Sequence, residues 1–162
     1  MPDGTGTSIT IAAEDPGRAD ILPLLRDGEA HSASLYPAES NHHLPLDALR
    51  AANVRFLVAR DGSGRPLATG ALVITGDRAE VKRMWVVEAA RGRGLSRSLL
   101  DRLIGEARAA GVRTLRLETG VASHAALGLY TAAGFVACPP FGAYRPDPLS
   151  VFMERAVDPP QG

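Results

Sequence analysis

The stretch from Glu80 to Leu103 constrains the fold more than any other part of the chain. In its first half, Val81 and Met84–Val87 form an apolar run rich in β-branched and aromatic residues, which indicates a buried or half-buried strand. A turn dense in Gly and Arg follows at Arg91–Ser96. After it, apolar residues repeat with the spacing of one helical face: Leu95, Leu99, Leu100, Leu103, Ile104 and Ala107. The pattern predicts a strand that turns directly into a helix.

The turn between this strand and this helix is predicted to bind an anion, most naturally a phosphate. The first backbone N–H groups of a helix have no partner within it, and the helix macrodipole favours negative charge at that end. Gly92 and Gly94 let the backbone approach a ligand closely. Three arginines add positive charge around the turn: Arg91, Arg93 and Arg97.

Length and composition limit the organisation and the partners. The 162 residues fit one domain, which we place at residues 8–157, with disordered tails at 1–7 and 158–162. Lys plus Arg number 18 and Asp plus Glu number 18, so the charge balance gives no reason to expect nucleic acid or a membrane as partner. The sequence has no run as apolar and long as a membrane span and no signal peptide, which predicts a cytoplasmic protein. The single cysteine, Cys138, excludes an internal disulfide, and its apolar surroundings predict a buried structural thiol.

The rest of the chain predicts an α/β fold. Strands are expected at 8–13, 55–59, 66–75, 114–118, 135–138 and 151–155, and helices at about 20–35, 46–51 and 124–133. Hairpins in the first half imply antiparallel pairing, whereas the strand-helix-strand passages of the second half imply parallel crossovers. The proline-flanked, polar segment Tyr36–Pro45 is expected to be a loop that carries specificity.

The glycine turn alone does not define a ligand. A dinucleotide fingerprint would need a third glycine where Arg97 stands, and a Walker A loop would need a Gly-Lys-Ser/Thr sequence after it. Gly94–Ser98 only half resembles a nucleophile elbow, because the last glycine is missing.

Two sequence blocks together resemble the GNAT superfamily of acyl-CoA-dependent N-acetyltransferases. Arg91–Ser96 resembles the signature Gln/Arg-x-x-Gly-x-Gly/Ala, from which it departs only at Ser96, a residue small enough to keep the turn. Downstream, Leu117–Gly120 and the Leu-Tyr and Gly-Phe pairs of 126–135 resemble the fifth strand and following helix of that superfamily. Three further segments resemble a bacterial subgroup of small GNAT proteins: YPAESNHH, PFGAYRPDP and SVFMER.

The resemblance implies a fold and a cofactor. The fold would be a single mixed six- to seven-stranded sheet flanked by helices, with a V-shaped splay between the central strands. The co-substrate would be acetyl-CoA, with no metal. Its pantetheine arm would pair with the strand backbone at Met84, Trp85 and Val86. The rest of its site, which includes the loop amides under the pyrophosphate, would be formed by Arg91, Gly92, Arg93, Gly94, Leu95, Ser96, Arg97 and Ser123.

Acetyl transfer to an amine needs a base for the amine and an acid for the departing thiolate. By resemblance, Tyr130 occupies the position of a tyrosine that donates to the CoA sulfur in many relatives. Glu80 stands eleven residues before Arg91, the spacing of the catalytic glutamate in the histone-modifying branch. Glu118 and a water relayed by His42 or His43 remain alternative bases.

The acceptor site is predicted around Lys82, which is the sole lysine in a chain whose other basic residues are all arginine. Strand alternation places Glu80, Lys82, Met84 and Val86 on one face, with Val81, Arg83 and Trp85 on the other. If Lys82 faces the cleft, its ammonium would hold a carboxylate of the acceptor. The other predicted acceptor-binding residues are Glu118, Tyr36, His42 and Tyr144.

These inferences predict an N-acetyltransferase that acts, by direct attack, on a primary amine of a small molecule. The alternatives are acetylation of a protein lysine or N-terminus, and a non-catalytic acyl-CoA sensor. Two proline-rich loops over the cleft favour a small acceptor over a peptide. Exposed C-terminal strands lead us to expect a homodimer.

Overall fold

Seven strands and four helices follow one another along residues 8–159, the part of the chain that the computed structural model describes. The strands are β1 Thr10–Ala13, β2 Val54–Arg60, β3 Pro66–Thr75, β4 Arg78–Val86, β5 Thr114–Gly120, β6 Val136–Ala137 and β7 Ser150–Ala156. The helices are α1 Leu22–Leu35, α2 Leu46–Leu49, α3 Leu95–Ala109 and α4 His124–Ala132. Single 3₁₀ turns occur at Ala38–Ser40 and Glu88–Ala90. Segments 1–7 and 160–162, where we predict disordered tails, lie outside the described residues.

The strands form one mixed sheet in the order β1-β2-β3-β4-β5-β7-β6, as the α/β prediction requires. Neighbours are antiparallel except β4 and β5, whose parallel pairing runs only from Arg78 opposite Thr114 to Glu80 opposite Arg116. Beyond Glu80 the two strands diverge. The predicted V-shaped splay between the central strands is therefore confirmed, and it opens at Glu80.

A β-bulge in β4 corrects the predicted assignment of faces. Arg83 and Met84 together oppose Gly70 of β3, and Arg83 has a φ of 59°. The bulge interrupts the alternation, so Arg83 lies with Lys82 on the α1 face of the sheet, where it donates to Glu29 of α1 at 3.1 Å. Met84 lies on the opposite face with Leu99 and Leu103 of α3. The prediction that Met84 and Val86 share a face with Glu80 is wrong, because strict alternation does not hold across a bulge. Trp85, predicted with Arg83 on the opposite face, instead lies on the α1 face against Gly28.

Two apolar clusters bury the two faces of the sheet. On one face, Leu99, Leu100 and Leu103 of α3 are fully buried in one cluster with Leu57 of β2 and Leu72 of β3, and this cluster extends to Leu115 and Leu117 of β5. This packing confirms the periodicity read from α3, because its apolar stripe is the buried one. On the other face, Ile21 and Leu25 at the start of α1 pack with Phe56 and Val58 of β2.

The element boundaries agree with the sequence reading to within a few residues. α1 begins at Leu22 with Pro23 in its first turn, where proline is tolerated. β6, predicted at 135–138, is shortened to Val136–Ala137. Cys138 follows it and is partly exposed, so the expectation of a buried thiol is wrong. Within residues 8–159, no helix is long and apolar enough to cross a membrane.

Candidate active site

The divergence of β4 and β5 opens a cleft of about 830 Å³. The predicted site residues that line it are Tyr36, His42, Glu80, Lys82, Met84, Trp85, Val86, Arg91, Gly92, Gly94, Leu95, Ser96, Arg97, Glu118, Ser123 and Tyr130. Arg93 is not among the lining residues, and Tyr144 lines an adjoining cavity. The structure therefore gathers residues from most of the chain around one splay in the sheet.

The start of α3 has the geometry of an anion site. Gly92 and Gly94 have φ angles of 80° and 78°, values that favour glycine, and Gly94 is the residue before the helix. The N–H of Ser98 bonds to the carbonyl of Gly94, and the amides before it carry no side-chain cap. The first turn of α3 contains no acidic residue. These free amides and the helix macrodipole fit the pyrophosphate of a CoA ester.

The arginines of this turn differ in what they contact. Arg91 bends back to donate from Nε to the Val86 carbonyl at 3.2 Å, and its guanidinium lies 4.9 Å from the Trp85 ring centre. Arg97 pairs with Asp101 at 3.0 Å on the exposed surface of α3. Arg91 thus already uses the Val86 carbonyl that a pantetheine arm would need.

The α1 wall of the cleft contains residues that sequence reasoning missed. The His31 ring packs against that of Trp85 at a tilt of 49°, with ring centres 5.3 Å apart. The indole Nε1 of Trp85 is buried without a hydrogen-bond partner among the described residues. Gly28, His31, Ser32 and Leu35 all line the cleft. Their spacing of three, four and seven residues is that of one helical face, a signal that the sequence does carry.

Glu80, Lys82 and Tyr144 form a closed hydrogen-bonded network. Lys82 Nζ donates to Glu80 Oε2 at 3.2 Å, to the Tyr144 hydroxyl at 2.8 Å and to the His42 carbonyl at 3.1 Å. The Tyr144 hydroxyl in turn donates to Glu80 Oε2 at 2.5 Å. An ammonium has three N–H groups, so Lys82 has none left for a substrate. A substrate carboxylate could bind Lys82 only by displacing one of these partners.

Two further titratable groups stand beside this network. Burial raises the pKa of Glu118 above its ordinary value, and the neighbouring Lys82 charge opposes that shift only in part. Burial, together with the charge of Arg83, lowers the pKa of His43 and favours its neutral form. The Nε2 of His43 is buried without a partner among the described residues. Glu118, and a water relayed by His42 or His43, therefore stay predictions for the alternative base.

Tyr130 enters the cleft from α4. Tyr130 is only 6% exposed, and its ring packs edge-on against that of Phe135, with ring centres 5.7 Å apart. Within residues 8–159, no hydrogen bond holds its hydroxyl in place. Burial raises the pKa of the phenol, because the phenolate would be poorly solvated. The hydroxyl therefore stays protonated and is available to donate.

The segment 36–44, here called the strap, closes the cleft on the α1 face. The Tyr36 hydroxyl bonds to the Oγ of Ser123 at 2.8 Å, and Ser40 Oγ donates to Asp147 at 2.7 Å. The strap is thus fastened to the loop before α4 and also to the loop 138–149. Among the described residues, no group of three or more His, Cys, Asp or Glu side chains is arranged to hold a metal ion.

Comparison with known families agrees with this geometry. The family model of the acetyltransferase (GNAT) family matches residues 20–135, which includes the splayed strands, the anion-binding turn and Tyr130. The chain belongs to the GNAT family. It is an enzyme of that family, an N-acetyltransferase.

Individual GNAT proteins match over nearly the whole chain. An IAA acetyltransferase of Azospirillum brasilense is 47% identical over 152 residues, which are 93% of this chain and 99% of the relative. A Klebsiella pneumoniae crystal structure named as an acyl-CoA N-acyltransferase has a TM-score of 0.79 at 34% identity and covers 93% of this chain and 98% of its own. The PaiA N-acetyltransferase of Thermoplasma acidophilum, solved with coenzyme A, shares the fold with a TM-score of 0.73 at 16% identity, over 92% of this chain and 99% of its own.

Proposed function

We propose that this GNAT enzyme transfers an acetyl group from acetyl-CoA to the primary amine of a small molecule. The observation that carries the proposal is the single cleft that joins the amides of α3 at one end to Glu80 and Tyr130. A relative named for IAA supports a small acceptor, and the fastened strap favours a closed site over an open peptide groove.

The donor would lie along the β5-facing edge of β4, which does not pair with β5 beyond Glu80, and Arg91 would have to release the Val86 carbonyl if the pantetheine arm binds there. The amides of Gly94–Arg97 would hold its pyrophosphate. Acetyl-CoA supplies the acetyl group as a thioester, whose carbon–sulfur bond breaks as the amide bond forms.

Glu80 would remove the proton from the acceptor ammonium and so produce the neutral amine that attacks. Its Oε2 accepts from Lys82 and Tyr144, which fixes the carboxylate and leaves Oε1 for the substrate. The Tyr130 hydroxyl would donate a hydrogen bond, and finally its proton, to the departing sulfur. The attacking nitrogen loses a second proton as it becomes an amide, and that proton would return Tyr130 to its neutral phenol.

The test is a screen of amine acceptors with acetyl-CoA, in which release of the CoA thiol is followed. Wild-type enzyme should acetylate at least one small amine, and Glu80→Gln and Tyr130→Phe should each lower kcat by about 10²-fold or more. Both substitutions are nearly isosteric, so unchanged melting temperatures separate lost chemistry from lost folding. If Glu118→Gln lowers kcat more than Glu80→Gln does, the base assignment moves to Glu118.

A protein acceptor remains the second candidate. It would be favoured if peptides with a free lysine or N-terminus were acetylated and no small amine were. Cytoplasmic location and a homodimer also remain proposals. Sedimentation of the purified protein tests whether it is a homodimer.

A further inference from the structure

A second cavity, of about 640 Å³, adjoins the cleft. The two share one wall, made of His42, His43, Leu44, Glu80 and Lys82. The rest of the second cavity is formed by the loop residues 141–147, by Val73 of β3 and by Glu39 of the strap. A molecule held in this cavity would therefore reach the same carboxylate, Glu80, that faces the cleft.

Most of the charged groups around this cavity are already paired. Lys82 donates all three of its N–H groups to protein acceptors. Asp147 accepts from the Ser40 hydroxyl at 2.7 Å and from the Leu149 N–H at 2.8 Å, and these contacts lower its pKa. Neither group is free to bind a ligand without losing a partner.

Two charged side chains of this cavity differ from these, Glu39 and Arg145: both are exposed, and neither makes a hydrogen bond or ion pair with any residue from 8 to 159. The positive one of the two, Arg145, is the one that can attract an anion. Arg145 lines the second cavity beside its apolar wall. It also follows Tyr144 directly, and the hydroxyl of Tyr144 reaches Glu80. A free guanidinium and a carboxylate with one free oxygen thus belong to the same cavity, with apolar side chains of Leu44, Val73 and Phe141 around them.

We propose that the second cavity binds an acceptor with a carboxylate as well as an amine, and that Arg145, not Lys82, binds that carboxylate. The inference rests on the proposed function, because it assumes that the amine is delivered to Glu80. A guanidinium matches a carboxylate with two parallel N–H···O bonds, which an ammonium cannot offer. The acceptor class is therefore a small amino acid with an apolar body. Its ammonium faces Glu80, and its carboxylate faces the loop.

The experiment compares matched acceptors in matched variants. Wild-type enzyme is assayed with the standard amino acids, and the best of them is paired with its own carboxamide, which keeps the amine but lacks the negative charge. Arg145→Met should raise the acceptor KM for the acid by about 10-fold to 100-fold, because a hydrogen-bonded charge pair is lost. It should change the acceptor KM for the carboxamide by less than about threefold. For the acid, the acceptor KM of Arg145→Lys should lie between that of wild type and that of Arg145→Met. Arg65→Met, which removes an exposed arginine from the β2–β3 turn, should change neither KM.

A second measurement does not depend on turnover. Calorimetric binding of the same amino acid in the presence of CoA should weaken in Arg145→Met and stay unchanged in Arg65→Met. Equal losses for acid and carboxamide, or no loss in Arg145→Met, overturn the assignment of Arg145. If the enzyme acetylates amines that lack a carboxylate but no amino acid, the inference fails while the proposed function stands. If it acetylates no amine at all, both fail.

Discussion

The Tyr36 hydroxyl and the Oγ of Ser123 lie 2.8 Å apart, so the end of α1 is bonded to the loop before α4 across the mouth of the cleft. The same hydroxyl accepts the N–H of Ala122 at 3.1 Å. The ring of Tyr36 packs on Gly120, where any side chain would overlap it. Helix α1 packs on β4, and this loop follows β5. The contact therefore joins the two sides of the splay between β4 and β5.

Tyr36→Phe should weaken cofactor binding without unfolding the protein. The substitution keeps the ring but removes the hydroxyl that bonds the α1 side of the cleft to the β5 side. Ligand binding must then also order the cleft, and this ordering reduces the free energy of binding. We expect the Kd for CoA to rise by about threefold to tenfold, the equivalent of one or two net hydrogen bonds. Trp85, the only tryptophan of the chain, lines the cleft and gives a fluorescence readout.

Ser123→Ala provides the graded control for this contact. It removes one of the two partners of the Tyr36 hydroxyl and leaves the Ala122 N–H in place. Its effect on the Kd should be smaller than that of Tyr36→Phe. An unchanged Kd in both variants would show that the bridge has no part in holding the cofactor.

Gly94→Ala should lower both stability and CoA affinity, because Gly94 has a φ of 78° at the start of α3. An L residue there costs about 1–2 kcal/mol, and any relaxation displaces the amides that follow. Gly105→Ala is the matched control within the same helix, since it lies in open space at an ordinary backbone conformation. It should stabilise the protein by roughly 0.5–1 kcal/mol and leave CoA binding unchanged. Urea denaturation and fluorescence titration of the two variants check these opposite signs.

The features that could be predicted from the sequence are those set by neighbouring residues. The glycine turn and the apolar stripe of α3 are local patterns, and both are found where they were predicted. The bulge at Arg83 has no such signal, because a positive φ is normally marked by glycine. The bonds that fasten the strap join residues 87 and 107 positions apart, Tyr36 with Ser123 and Ser40 with Asp147. Such pairings depend on tertiary packing, which is why the sequence predicts proline-rich loops over the cleft but not the hydrogen bonds that hold them there.

Lys82 and Tyr144 should act on catalysis as one unit. Lys82→Met and Tyr144→Phe each remove a donor from Glu80 Oε2, and each also breaks the bond between the two residues. Each single variant should lower kcat about tenfold, and the double variant should lose less than the product of the two. The expected coupling is about 0.5–3 kcal/mol. The measurement is a double-mutant cycle on kcat with a carboxylate-free acceptor.

Arg65→Met gives the reference for that cycle. It is far from the network along β3 and exposed, so its combination with Lys82→Met should be additive. Additive losses for Lys82→Met with Tyr144→Phe would contradict a shared role in holding Glu80. If Lys82→Met raises the acceptor KM only for acceptors that carry a carboxylate, Lys82 would instead be the residue that binds the carboxylate.

Glu118→Gln should change the pH dependence of stability in a defined direction. Burial raises the pKa of Glu118 above its unfolded value, so the folded protein binds this proton more tightly than the unfolded chain does. Its contribution to stability is complete below the ordinary glutamate pKa of about 4.3 and is lost as pH rises through the raised value. Glutamine is neutral throughout and avoids that loss. The unfolding free energy of Glu118→Gln minus that of wild type should therefore increase between pH 4 and pH 7.

Urea denaturation at several pH values measures this difference. A flat difference for Glu118→Gln would mean that the site is better solvated than its packing implies.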